Sequence, residues 1–197
     1  MKLFRMLYDW ILSWAETPYG IPALFILAFA EACFFPIPPD VLLIALCLSV
    51  PRQAYRYAII ACVGSVFGGI VGYAIGLTLW GGLAPYFFQY IPGFSQNHFD
   101  YVHDLFVHYD FWAVFAAGFT PIPYKIFTIA SGVFRIDFLI FVLASIISRG
   151  LRFILVAWLL YRFGSSAKEF IDRYFNLLTI AFLLLLVGGF VLIEYVF

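Results

Sequence analysis

Charge is scarce in this chain. Only 11% of its 197 residues are Asp, Glu, Lys or Arg, and the eleven acids cancel the eleven bases. With 65% apolar residues and a mean hydropathy of +1.02, it reads as an integral membrane protein rather than a soluble domain. The zero net charge leaves no electrostatic footprint for nucleic acid. Cysteine is limited to Cys33, Cys47 and Cys62, all in apolar segments without CxxC or metal-ligand spacing, so they read as small buried hydrophobes. The histidines His98, His103 and His108 recur every five residues, which scatters them around a helix. A helical metal site wants them three or four apart on one face. No histidine lies in a membrane segment to serve Ser131, Ser145 or Ser148, and there is no nucleophile elbow and no Gly-rich phosphate loop. No catalytic residue, metal or cofactor is therefore expected, and the chain is not read as an enzyme. A cleaved signal peptide is not expected either, because Asp9 and Glu16 interrupt the first apolar run.

What is present is one motif twice. Phe34-Phe35-Pro36-Ile37-Pro38-Pro39-Asp40 recurs 85 positions later as Phe119-Thr120-Pro121-Ile122-Pro123-Tyr124-Lys125, with an acid in one copy where the other has a base. Proline removes a backbone donor and blocks helix continuation, so Pro36 and Pro38, then Pro121 and Pro123, mark two helix breaks. Broken helices in a bilayer are tolerated only where protein or a water-filled cavity surrounds them, and paired breaks in two halves point to a transporter's binding site. The limbs beside the breaks (21–35 and 41–50; 111–119 and 126–134) are too short to cross a ~30 Å hydrocarbon core at helical rise. Each pair fits a re-entrant hairpin; for the first the rival is one kinked span from Ile21 to Val50. Full spans are predicted over 58–80, 138–161 and 177–193. Gly64, Gly68, Gly72 and Gly76 form a small-residue stripe for close helix packing on the first of them. Residues 1–16 and the polar stretch within 81–110 read as interfacial amphipathic helices, with Phe99, Val102, Phe106 and Tyr109 on the apolar face of the second.

No Lys or Arg occurs from Tyr57 to Tyr124, whereas Lys2, Arg5, Arg52 and Arg56 precede the first full span and Arg162, Lys168 and Arg173 follow the second. The positive-inside rule then puts the N-terminus in the cytoplasm and the acidic 81–110 loop outside, so the two hairpins enter from opposite sides. Five charged residues remain where lipid would surround them: Glu31, Asp40, Lys125, Arg149 and Arg152. Each costs a few kcal/mol there, so they must converge on one another or on water. Arg149 and Arg152, three apart on one helix face, could join Lys125 in presenting cations to a phosphate, while Glu31 and Asp40 take up protons. A buried ion-pair network that only holds the hairpins together is the structural alternative.

The ordered set Glu31-x4-Pro36-x-Pro38-x-Asp40, the glycine-rich span, and Phe119-x-Pro121-x-Pro123 followed by Ala130-Ser131-Gly132 resembles the DedA family, also called the VTT or SNARE-associated superfamily, and most of all its YqaA branch. The resemblance covers roughly 20–164. It implies a multi-pass protein of the bacterial inner membrane that moves a phospholipid or polyprenyl-phosphate lipid, coupled to protons. It also implies that Glu31 and Asp40 are the essential acids and Lys125 the basic residue of the second hairpin. Where relatives carry another base before Phe-x-Pro, this chain has Gly118. The expected architecture is thus a single all-α membrane domain over 1–197. It comprises an interfacial helix (1–16), a DedA-like core (20–164) with two opposed re-entrant hairpins in an inverted repeat, and a C-terminal transmembrane helix (174–197). A homo-oligomer is compatible with it. The competing functions are a proton-coupled exchanger of small ions or drugs, and a non-transporting protein that supports envelope integrity.

Overall fold

The computed structural model describes residue 17 and residues 19–33, 38–90, 96–120 and 123–164. The expected N-terminal interfacial helix, the C-terminal span, Pro36 and Pro121 lie outside these residues. Every regular element among the described residues is helical. In chain order they are α1 (Gly20–Cys33), α2 (Asp40–Ser49), a short 3₁₀ turn (Pro51–Gln53), α3 (Ala54–Tyr90), α4 (Gln96–His108), α5 (Asp110–Phe119), α6 (Tyr124–Val133) and α7 (Phe138–Gly164). Two helical stretches, Pro51–Gly82 and Phe138–Gly164, are long and apolar enough to cross a membrane. The four helices beside the two breaks hold 14, 10, 10 and 10 residues, about 15–21 Å each.

Two sequence expectations need correction. The first full span does not end at Trp80: α3 continues through Gly81 and Gly82 to Tyr90. Two glycines weaken a helix without ending it, and Trp80 is held by stacking on Phe99, with ring centroids 5.2 Å apart and planes 8° apart. The buried face of α4 is also different. Phe99 and Phe106 pack on Phe134, joined by the edge of His103, whereas Val102 and Tyr109 are exposed. The i, i+4, i+7 row aimed at a single aromatic defines that face.

α3 is the axis of the molecule, and its glycines set how closely its neighbours approach. A Cβ on Gly64 would lie 2.6 Å from the carbonyl oxygen of Phe25, and one on Gly68 would run into that of Phe29. On Gly72 it would meet Thr128 Oγ1, and on Gly76 the carbonyl oxygen of Ile129. One row of small residues thus seats α1 along its first half and α6 along its second. Both run in the direction of α3, since Phe25 then Phe29 meet Gly64 then Gly68, and Thr128 then Ile129 meet Gly72 then Gly76. α6 returns the contact through Gly132, whose Cβ would fall on the Tyr73 carbonyl oxygen. α7 runs antiparallel to α3: Tyr55 lies 5.8 Å from Tyr161, and Tyr73 lies 5.2 Å from Phe141.

The core divides accordingly. At one end Leu24 and Ala28 of α1, Leu43 and Leu46 of α2, Ala54 and Ala58 of α3, and Phe153 and Leu160 of α7 form one buried cluster. At the other, Tyr73 of α3, Val114 of α5, Tyr124 of α6 and Phe141 of α7 form a second, with Ala32 from α1. Arg135 closes the turn from α6 into α7 with a left-handed φ of 53°. Such a backbone costs a non-glycine residue roughly 1–2 kcal/mol. Tyr73 steadies this turn by donating to the Ile136 carbonyl at 2.8 Å, and Asp137 caps α7 by accepting from the Leu139 and Ile140 amides.

Candidate functional site

Between the two apolar clusters lies a polar layer. Residues on both sides of the two breaks and on the middle of α7 build it. Glu31 stands near the end of α1, and Asp40 is the first residue of α2, directly after Pro39. Thr120 ends α5 in an extended conformation, and Tyr124 and Lys125 open α6 after Pro123. Arg149 and Arg152, three apart, point from α7 into the layer.

Arg149 is 2% exposed. Its Nη2 donates to Glu31 Oε2 at 2.6 Å and its Nε to Ser65 Oγ at 2.7 Å. The guanidinium also lies 4.8 Å from the ring centroids of Tyr124 and Phe153. Cation–π contacts of this kind contribute roughly 0.5–2 kcal/mol each, the more when desolvated. Tyr124 is itself fixed, its hydroxyl donating to Ser145 Oγ at 2.5 Å. Arg149 therefore has an acid, a hydroxyl and two aromatic faces around it. Sequence reasoning singled out the acid and the arginine but not Ser65, Tyr124, Ser145 or Phe153. Ser65 was findable as the hydroxyl beside Gly64 in the packing stripe, and Phe153 as the i+4 neighbour of Arg149.

Arg152 is placed differently. Its Nη2 donates to Asp40 Oδ2 at 2.7 Å and its Nη1 to the Thr120 carbonyl at 2.8 Å, and both charged side chains keep 20% exposure. One guanidinium thus holds an atom from each break. A further direct link between the two halves runs from Thr128 Oγ1 to the Ala32 carbonyl at 3.1 Å. Lys125 is half-buried in the first turn of α6, one residue after the ring that covers Arg149. Among the described residues no buried side-chain nitrogen or oxygen lacks a partner. The layer is complete as it stands, with its two arginines each neutralised by one carboxylate.

Gly118 needs its missing side chain. A Cβ there would run into Ser148 Oγ and come within 3.6 Å of Arg149 Cδ. His103 lies apart, with Nδ1 3.3 Å from Asp104 Oδ1 on an exposed stretch of α4. Among the described residues no three His, Cys, Asp or Glu side chains are grouped to hold a metal ion.

Among the described residues, an all-helical bundle with two long apolar helices, two interrupted helix pairs and charges paired in its apolar interior is the build of a membrane protein. The family match names its class as that of the VTT domain. The chain belongs to that family, also known as DedA: the VTT domain matches residues 35–162. It is 36% identical over 181 residues to an uncharacterized protein of Haemophilus influenzae, covering 87% of this chain and 90% of that one. It is 38% identical over 176 residues to an uncharacterized protein of Histophilus somni, described as an HI0703 homolog, covering 87% and 91%. No solved structure matches the chain.

Proposed function

We propose that this protein moves a phosphate-headgroup lipid, a phospholipid or polyprenyl phosphate, across the bacterial inner membrane, with protons as the coupling ion. In this reading α1 and α2 form one re-entrant hairpin and α5 and α6 another, related by inverted topology. The N-terminus then faces the cytoplasm. Supporting this are limbs too short to span, and the placing of α1, α2 and the start of α3 in one cluster while α5 and α6 pack in the other. Cysteine labelling in a background without Cys33, Cys47 and Cys62 tests the topology. Tyr19→Cys and Ser49→Cys are expected to react from one side of the membrane and Tyr109→Cys from the other. Tyr19 and Ser49 reacting from opposite sides would make α1–α2 a single kinked span.

The observation that carries the functional reading is the polar layer itself. Buried ion pairs seldom stabilise a fold more than apolar residues of the same volume would, and ionisable groups inside a membrane mark ion and substrate paths by default. Here two acids and two arginines meet where both breaks meet. Protonation of a carboxylate would leave its arginine with a planar donor fork, the geometry that binds phosphate. Return of the proton to solvent would restore the pair and release the anion. Glu31 and Asp40 are then the proton-coupling acids, and Lys125, Arg149 and Arg152 supply the positive charge for the headgroup. The nearness of Arg149 Cδ to Gly118 favours Arg149 as the source of the base that relatives carry before Phe-x-Pro.

Lipid movement in proteoliposomes containing only the purified protein tests this reading, with a panel of headgroups. Glu31→Gln and Asp40→Asn are each expected to reduce movement at least about tenfold, about 1.4 kcal/mol or more of lost coupling. Arg162→Ala, at the exposed end of α7, should match the unaltered protein. Lipid movement no faster than in protein-free vesicles would favour a non-transporting role in envelope integrity. Proton-driven flux of small ions or drugs without lipid movement would favour the exchanger.

A further inference from the structure

The two arginines share a helix face but differ in how they are held. Arg149 is enclosed by four fixed partners, whereas Arg152 makes two bonds, each to a different break, and keeps water access. We propose that Arg152 is a clasp between the two breaks, opened when a phosphate-type anion takes its guanidinium from Asp40 and the Thr120 carbonyl together. Arg149 keeps its pair with Glu31 during this first step, before proton uptake by Glu31 turns its charge toward the headgroup. The proposal rests on the reading that a phosphate headgroup is the ligand, and it adds which residue exchanges partners and what moves as a result.

The geometry supplies the logic. The Nη1 and Nη2 edge of Arg152 that meets Thr120 and Asp40 is the edge that a phosphate would engage bidentately, so ligand and clasp compete for the same donors. Thr120 and Asp40 have different alternatives once released. Thr120, half-buried, ends α5 in an extended conformation, and Asp40 is 20% exposed. Arg149 has no comparable route while Glu31 keeps its charge. An anion there would have to displace Glu31 from a side chain that is 2% exposed and covered by the Tyr124 and Phe153 rings. A ligand shifts a conformational equilibrium only by its differential affinity for the two states. Competition for one guanidinium supplies that differential, because the anion binds Arg152 fully only when the clasp is open.

The test uses the full chain in maltoside micelles, free of other phosphate. Nitroxide labels are placed at Ile44→Cys on α2 and Ala116→Cys on α5, one turn from each break, in the background without native cysteines. The probes are dodecyl phosphate and inorganic phosphate, with binding followed in parallel by calorimetry. Dodecyl phosphate is expected to lengthen the label-to-label distance by about 2–5 Å, the scale of helix shifts and one-turn ratchets. Arg152→Gln should show the lengthened distance without ligand and no further response, and Asp40→Asn should fall between. Arg162→Ala, at the exposed end of α7 and outside the polar layer, should keep the response. Dodecyl phosphate that binds without changing the distance, or that changes it equally in Arg152→Gln, overturns the clasp while leaving the lipid reading intact. A response to inorganic phosphate equal to that to dodecyl phosphate supports the clasp but moves the ligand from lipid to soluble anion. Absence of any binding overturns both.

Discussion

Glu31→Leu is expected to lower the unfolding free energy by about 3–5 kcal/mol, the cost of leaving a buried charge without its partner. Arg149 is 2% exposed and Glu31 16%, so little water is available to replace the lost carboxylate. The remaining partner, Ser65 Oγ, is a neutral acceptor and cannot balance a guanidinium charge. The Tyr124 and Phe153 faces soften the loss but do not cancel it. Denaturant unfolding in detergent measures the effect. The companion variant Glu31→Leu/Arg149→Met removes both charges, and it is expected to recover most of the stability while lipid movement stays lost. That split separates a pair kept for its chemistry from one kept for the fold. A single variant that costs less than about 1 kcal/mol would show the arginine to be solvated in a way its surroundings do not suggest.

Gly132→Val and Gly68→Val are expected to have the second large effect. At each position the new Cβ would fall on a backbone carbonyl oxygen, that of Tyr73 for Gly132 and that of Phe29 for Gly68. Overpacking against side chains costs about 1–3 kcal/mol because rotamers can shift. A carbonyl within a helix cannot swing aside without breaking its own hydrogen bond, so these two sites should reach or exceed about 3 kcal/mol. Loss of folded protein on size-exclusion chromatography, or a fall in Tm, reads this out. Gly82→Ala is the control. Nothing lies within 4 Å of the Cβ position there, and alanine should stabilise α3 by up to about 1 kcal/mol through helix propensity. Equal losses at Gly82 and Gly132 would show that glycine flexibility, rather than close contact, is what the helix requires.

Much of this organisation is legible in the sequence because proline and charge are local signals. The two breaks, the short limbs around them and the long apolar stretches of α3 and α7 all follow from residue type and run length. The glycines at four-residue spacing announce a contact face. What one dimension cannot supply is the partner: that Arg149 takes Glu31 and Arg152 takes Asp40 depends on the height of α7 relative to two helices more than a hundred residues before it. Sequence gave equal reason to pair either arginine with either acid, or all three bases with an anion. The carbonyl of Thr120 was invisible for a different cause, since every residue has one and only the end of α5 leaves it without a helical donor. The length of α3 is harder to read because paired glycines look like punctuation, although they weaken a helix without ending it.

The separation of those partners along the chain has a consequence for how the protein is made. Glu31 precedes Arg149 by 118 residues and Asp40 precedes Arg152 by 112. At about 5–20 residues per second, ribosomes leave each acid waiting roughly 6–24 s for its cation. During that interval α1 and α2 can already dock on α3, but the carboxylates have only water, the insertion machinery or a bound proton to compensate them. Arg149 and Arg152 then emerge within a helix whose own insertion penalty is relieved by acids already in place. The early half of the chain would therefore act as an internal receptor for α7, whose two arginines would find acids that its predecessors have already set in place.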